Sequence, residues 1–333
     1  MMPKPLLPGV YAPTQIFYAD GSDEKLDTAT IGKHAVRLAK AGIAGIVTNG
    51  SNGEAVYLTP LERIEATRTT RAALDQAGFS NIPIIVGASD QSVQGTLALC
   101  RDAADAGGDA VLLLVPSFFK WAMTGPAIET YFNRVADESP LPVIIYNYPT
   151  AVSGIDLDSD QLIRLSRHPN IVGTKFTCGN VGKLARVAGA TSPVSEVFNS
   201  KSSSSSPPPP YFAFSGIADF ISPAVSVGAS GAIVGAANVF PRACVHVYNL
   251  AVQDGRREET AEAQQRLARA DWELTKRAVP GFKAILERWC GYGGIPRGPM
   301  QALGKEEEAS LFEDIEWMMK IEEGLEDFGL KGQ

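Results

Sequence analysis

The amino-acid sequence predicts an α/β protein, a (β/α)8 TIM barrel with a helical C-terminal extension, on three observations. Eight short apolar runs alternate with segments of helical periodicity up to residue 255, and eight such units in about 250 residues are the count of a (β/α)8 barrel. The G-x-G-x-x-G turn that would follow the first strand of a doubly wound sheet is missing. Past residue 255 the strand signal stops and only helical patterns remain.

The runs are GVYAP (9–13), GIVTN (45–49), PIIVGA (83–88), AVLLLVP (110–116), PVIIYN (142–147), IVGTK (171–175), YFAFSG (211–216) and GAIVGA (231–236). Their near-continuous apolar character suits strands covered on both faces. Between them helices are expected over 26–41, 60–77, 92–107, 125–138, 159–167, 181–190, 218–228 and 240–254. Thr59-Pro60-Leu61-Glu62 reads as a capping box with proline at the first helical position, and Gly42 and Gly78 stand where C-terminal caps belong. Residues 256–278, 280–291 and 305–322 read as further helices, so the expected division is a barrel over 1–255 and a helical extension over 256–333. The tract NSKSSSSSPPPPYF marks a Ser/Pro-rich insertion at 199–210, between the sixth helix and the seventh strand. That is the bottom of a barrel, and a tract unable to bury a core is expected to be mobile there.

Composition excludes several classes. The 333-residue chain is 45% hydrophobic and 20% charged, which is globular composition. A net charge of −7 and the absence of any Lys/Arg-rich run argue against a nucleic-acid partner. Cys100, Cys178, Cys244 and Cys290 lie far apart with no C-x-x-C pair, so neither a disulfide framework nor a thiolate metal site is indicated. The first residues lack a long apolar or Arg/Ser-rich leader, and no apolar run is long enough to span a membrane. The expected location is the cytoplasm. His34, His168 and His246 show no ligand spacing, so no metal is expected.

The sixth run ends on a lysine. Strand alternation places Ile171, Gly173 and Lys175 on one face and Val172 and Thr174 on the other, and with the first set inward Gly173 clears space beneath the lysine. The simplest reading of such a lysine is snorkelling to water. The chemical reading is an amine held in an apolar cavity, its pKa lowered toward neutrality so that it attacks a ketone to form a Schiff base. Tyr146 stands next to the end of the neighbouring fifth run, where its hydroxyl could stand beside that amine. Ser51 and Asn52, between Gly50 and Gly53, form a turn whose N–H groups suit a carboxylate. Alone, Tyr146 is a packed aromatic and GSNG only a turn; in a barrel all three converge on one mouth.

The motifs GSNGE, YNYP, GTK, FSG and GAANV, in this order from about residue 8 to 315, resemble the dihydrodipicolinate synthase and N-acetylneuraminate lyase superfamily. HPNIVGTK, GYGGIPRGPMQ and YNYPTAVSGIDL are similar to its 4-hydroxy-2-oxoglutarate aldolase and fungal 2-keto-3-deoxy-L-galactonate aldolase branch. The resemblance implies a cofactor-free class I aldolase acting on a small 2-oxo acid. Lys175 would form the imine, Tyr146 relay protons, Ser51 and Asn52 bind the carboxylate, and Gly216 and Ile233 line the pocket. Ala151 and Val152 stand where the synthases would have a substrate-gripping arginine, and Ser153 and Thr150 are offered to substrate hydroxyls instead. VPSFFKW replaces the synthases' tyrosine pair, and the resemblance implies a homo-oligomer, dimer or tetramer, with Phe118 or Phe119 near the contact. Glu54 and Glu62 read as a loop anchor and a helix cap. The alternatives are the synthase reaction itself, a metal-dependent aldolase and a non-catalytic ligand-binding barrel.

Overall fold

The computed structural model describes residues 3–19, 21, 24–192 and 210–328. Eight parallel strands close into a barrel in chain order. They are β1 (Gly9–Pro13), β2 (Gly45–Thr48), β3 (Ile84–Gly87), β4 (Ala110–Leu114), β5 (Val143–Asn147), β6 (Ile171–Phe176), β7 (Phe212–Ser215) and β8 (Gly231–Ile233). Closure is made by β8 on β1, where Gly9 pairs with Gly231 and Tyr11 with Ile233. The wall helices are α1 (Thr28–Lys40), α2 (Pro60–Gln76), α3 (Val93–Asp105), α4 (Gly125–Glu138), α5 (Ser159–Leu165), α6 (Val181–Thr191), α7 (Ile221–Ser226) and α8 (Pro241–Ala251), followed by α9 (Arg257–Cys290) and α10 (Lys305–Gly324). The fold is the (β/α)8 barrel with helices following it.

Strand alternation sorts the side chains into two layers. Tyr11, Val47, Ile85, Leu112, Ile144, Phe212 and Phe214 fill the barrel interior, while Val10, Ile46, Ile84, Val111 and Ile145 face the helices with Leu38, Leu74 and Phe132. Local signals work where they were read. Thr59 and Glu62 form the reciprocal capping box, and Gly42 and Gly78 have φ of 92° and 85°, the left-handed conformation that ends a helix most cheaply at glycine.

Several expectations need correction. On β6 the simple alternation fails, because the pairing with β5 shifts register between Val143 and Ile144. Ile171 therefore packs outward while Val172 joins the interior cluster; Gly173 and Lys175 keep registers opposite the inward Ile144 and Tyr146. A Cβ on Gly173 would come within 2.6 Å of the Phe212 carbonyl oxygen, so this glycine admits the neighbouring strand more than it clears a floor for lysine. The eighth strand is shorter than GAIVGA because the chain turns into a 3-10 segment at Gly235–Asn238, and the seventh helix begins as a separate 3-10 turn, Ala218–Phe220. Residues 256–278 and 280–291 run on as α9, broken only at Ala278 (φ 49°, ψ −144°) just before Pro280, which cannot donate the next helical bond. Of the Ser/Pro-rich insertion at 199–210, all but Pro210 lies outside the described residues. Among the described residues no helix is long and apolar enough to cross a membrane.

Candidate active site

β6 delivers Lys175 to the barrel interior between Tyr146 of β5 and Phe214 of β7, with which it pairs in register. The side chain is not snorkelling: the residue is only 3% exposed. Its Nζ lies 4.2 Å from the centroid of the Tyr146 ring. Burial alone lowers its pKa from 10.5 to about 7, so near neutrality a large share of the amine carries a free lone pair.

Tyr146 is buried as well, and this pushes its phenol up, against the opposing effect of the Ser51 and Thr177 hydroxyls beside it. It is thus a neutral phenol facing two hydroxyls, of which Thr177 Oγ1 is buried and has no hydrogen-bond partner of its own among the described residues. Tyr148, two residues on, stacks on it with ring centroids 5.4 Å apart and planes 20° apart.

Beyond β2 the chain folds into overlapping turns. Asn49 takes a left-handed φ of 54°, which asparagine tolerates. Gly53 and Ala55 N–H donate to the Gly50 carbonyl at 3.1 and 3.3 Å, and Glu54 N–H donates to the Ser51 carbonyl at 3.2 Å. These bonds close the turn from below. Among the described residues the Ser51 and Asn52 N–H groups donate to no protein acceptor, the arrangement a bound carboxylate needs. Asn52 Oδ1 accepts from Gln15 Nε2 at 3.2 Å. The Gln15 N–H in turn donates to Asn238 Oδ1 at 3.1 Å, and Asn238 Nδ2 donates to the Pro13 and Gly235 carbonyls at 2.8 Å each.

The structure therefore brings Lys175, Tyr146 and Ser51 together, with Asn52 on the same turn. Gly216 packs on the chain just after Lys175 by necessity, since a Cβ there would lie 2.1 Å from Thr177 Oγ1. Ile233 is fully buried in the barrel interior. Ser153 stands apart: it is exposed, has a left-handed φ of 55°, and its Oγ approaches the Ser117 carbonyl at 3.5 Å, which places it on the rim. Sequence reasoning missed Thr177, Gln15 and Tyr148. Thr177 was the most accessible, being two residues beyond the lysine and the first residue after β6. Gln15 carries no local signal, because its role comes from a turn of another strand.

The histidines stand outside this site. His34 is in the core, pushed down to about 3 by burial, its Nε2 2.9 Å from Asn238 Oδ1 and its Nδ1 3.0 Å from the Tyr292 hydroxyl. His168 pairs with Asp137 at the surface. Among the described residues no three His, Cys, Asp or Glu side chains cluster to hold a metal ion. A groove of about 890 Å³ lined by Gly32, Arg37, Lys40 and Ala73 runs along α1 and α2 on the outer wall, and it shares no residue with the lysine site.

Comparison with known proteins gives a consistent picture. Residues 15–317 match the sequence model of the Dihydrodipicolinate synthetase family. The chain is 50% identical over 332 residues to a protein of Aspergillus niger named L-threo-3-deoxy-hexylosonate aldolase, covering 97% of this chain and 98% of that one. It is 44% identical over 326 residues to a protein of Emericella nidulans named as a mitochondrial 4-hydroxy-2-oxoglutarate aldolase, covering 98% and 99%. A solved dihydrodipicolinate synthase family protein from Coccidioides immitis superposes with a TM-score of 0.83 at 30% identity, covering 98% of this chain and all of that one.

Proposed function

The chain belongs to the dihydrodipicolinate synthetase family, and we propose that it is a class I aldolase whose imine-forming residue is Lys175. The substrate is a 2-keto-3-deoxy sugar acid or a 4-hydroxy-2-oxo acid, split into pyruvate, or a glyoxylate-type product, and an aldehyde. One observation carries this reading: a buried, unpaired lysine with its pKa near 7, against Tyr146 and beside a turn with two unengaged N–H groups.

The neutral Lys175 amine adds to the C2 ketone. Its two protons and the ketone oxygen leave as water, and protonation of the imine gives an iminium. The carboxylate is held meanwhile by the Ser51 and Asn52 N–H groups. The C3–C4 bond then breaks, its electron pair flowing into the iminium to leave an enamine, while the C4 hydroxyl gives up its proton and departs as the aldehyde. Tyr146 relays that proton, accepting it as its own passes to the Ser51 or Thr177 hydroxyl, which gives up its proton in turn, and a proton returns along the same path to C3. Water hydrolyses the iminium, releasing pyruvate and the free amine.

The loop after β5 favours a hydroxylated or neutral aldehyde half over a charged amino-acid semialdehyde. Val152 is 2% exposed and packed toward the helices, and Ala151 carries no charge, so neither position offers a guanidinium. A missing bidentate carboxylate contact costs on the order of 2–3 kcal/mol, about a hundredfold. We therefore expect pyruvate release from a 2-keto-3-deoxy hexonate to exceed condensation of pyruvate with aspartate semialdehyde by about a hundredfold in kcat/KM. A panel of 2-keto-3-deoxy and 4-hydroxy-2-oxo acids assayed for pyruvate, with the condensation run on the same preparation, makes the comparison. A semialdehyde reaction faster by about tenfold or more would restore the synthase reading.

Phe118, Phe119 and Trp121 are 79%, 60% and 83% exposed and stack edge to face on one another on the rim. Such a patch is costly in water, which supports a homodimer or tetramer with these rings at the contact. Sedimentation is expected to show no 35.4 kDa monomer at micromolar concentration, and Phe119→Asp to release one. The proposed division remains a barrel over 1–255 and an extension over 256–333. The cytoplasm remains the proposed location, supported by four free cysteines.

A further inference from the structure

The segment GYGGIPRGPMQ takes no part in the lysine chemistry, yet with α9 it closes over the turn that follows β2. Lys283, in the second half of α9, has its ammonium 2.7 Å from Glu54 Oε1, with both side chains at 0% exposure. The same ammonium donates to the Ile295 carbonyl at 2.9 Å and lies 4.5 Å from the centroid of the Tyr18 ring. The other Glu54 oxygen accepts from the Arg297 N–H at 2.8 Å. Glu54 holds a left-handed φ of 49°, and its own N–H is the one that donates to the Ser51 carbonyl.

A dry lysine–glutamate pair is a poor way to gain stability, because packed apolar side chains serve as well or better. A buried glutamate at positive φ persists only where its surroundings fix it, and such positions collect at functional sites. Here the fixed backbone is the one that presents the carboxylate-binding N–H groups. We propose that Lys283 is a positioning residue for that turn: by fixing Glu54 it fixes Ser51 and Asn52, so the C-terminal extension sets the affinity for the 2-oxo acid carboxylate. The inference rests on the carboxylate role proposed for the turn.

The test is the pyruvate concentration that half-saturates inactivation of the full chain by borohydride. It is measured for the wild type, for Lys283→Met, and for Lys283→Met/Glu54→Gln. The single variant leaves a buried carboxylate without its cation and is expected to melt lower. The double variant removes both charges, while glutamine still accepts from the Arg297 N–H, and is expected to recover most of that melting temperature. Half-saturation does not depend on the fraction folded, because only folded protein reacts. Both variants should need about tenfold more pyruvate or greater, with the limiting inactivation rate and the modification of Lys175 as in the wild type. A double variant that melts and half-saturates like the wild type overturns the inference. So does a fall in the limiting rate alone. Failure of the wild type itself to be modified would instead overturn the imine reading.

Discussion

Lys175→Met is expected to abolish carbon–carbon cleavage and, in the same molecule, to make the fold more stable at neutral pH. The loss should be on the order of 10⁴-fold or more, because without the iminium the electron pair of the breaking bond has nowhere to go. The gain follows from the cost of burying the amine. The pKa is about 7 in the folded chain against 10.5 for an ordinary lysine, and burial is the whole cause. Between those values the unfolded chain binds a proton that the folded chain lacks, so stability rises with pH across the window and the full penalty applies below it. At pH 7 the penalty is roughly 4 kcal/mol. Methionine, of similar length, sits among Tyr146, Phe214 and Phe212 without it. Urea melts of both proteins should therefore differ by a few kcal/mol at pH 7 and converge toward pH 10. Treatment with pyruvate and borohydride should add a reduced pyruvyl mass to Lys175 in the wild type and to nothing in the variant. Modification of a different lysine, or a stability difference between the two proteins no larger at pH 7 than at pH 10, would remove Lys175 from the centre of the reaction.

What the sequence made legible was whatever depends on local pattern. Eight apolar runs became eight strands because parallel strands buried on both faces need no partner-specific signal. The capping box at Thr59 and the left-handed glycines at 42 and 78 are likewise set by a few neighbouring residues. The β6 alternation misled because a register shift against β5 is decided between strands and leaves no trace in IVGTK. The lysine and the tyrosine were readable since each stands next to the end of a strand and barrel closure brings strand ends together. Gln15 and Lys283 were not, because each acts by reaching a turn distant in the chain. Glu54 was legible as an anchor, but the cation that it anchors to lies in α9, far along the chain, where nothing local marks that lysine as buried.

Tyr146→Phe separates a proton relay from a packed ring. The variant keeps the aromatic surface over Lys175, so the burial that depresses the amine persists, and only the hydroxyl facing Ser51 and Thr177 is lost. If the ring merely packs, turnover should hold. If the phenol carries protons between the C4 hydroxyl, the enamine carbon and the carbinolamine, kcat should fall by about 10²–10³, the ordinary range for a positioned acid or base. Ser51→Ala alone should cost much less, since Thr177 still meets the phenol, and in the double variant the serine change should add almost nothing, as expected for groups acting in one chain. The pH profile gives an independent reading. Tyr146 is held as a phenol by burial and stays protonated well above neutrality, so the rise in kcat/KM through pH about 7 belongs to Lys175. Tyr146→Phe should keep that rise at the same pH and lower only the plateau above it. A rise displaced by about one unit or more would mean that the hydroxyl tunes the amine instead of relaying protons. A variant retaining a third or more of the wild-type kcat would pass the relay to the stacked Tyr148, and Tyr148→Phe would then be the change that lowers the plateau.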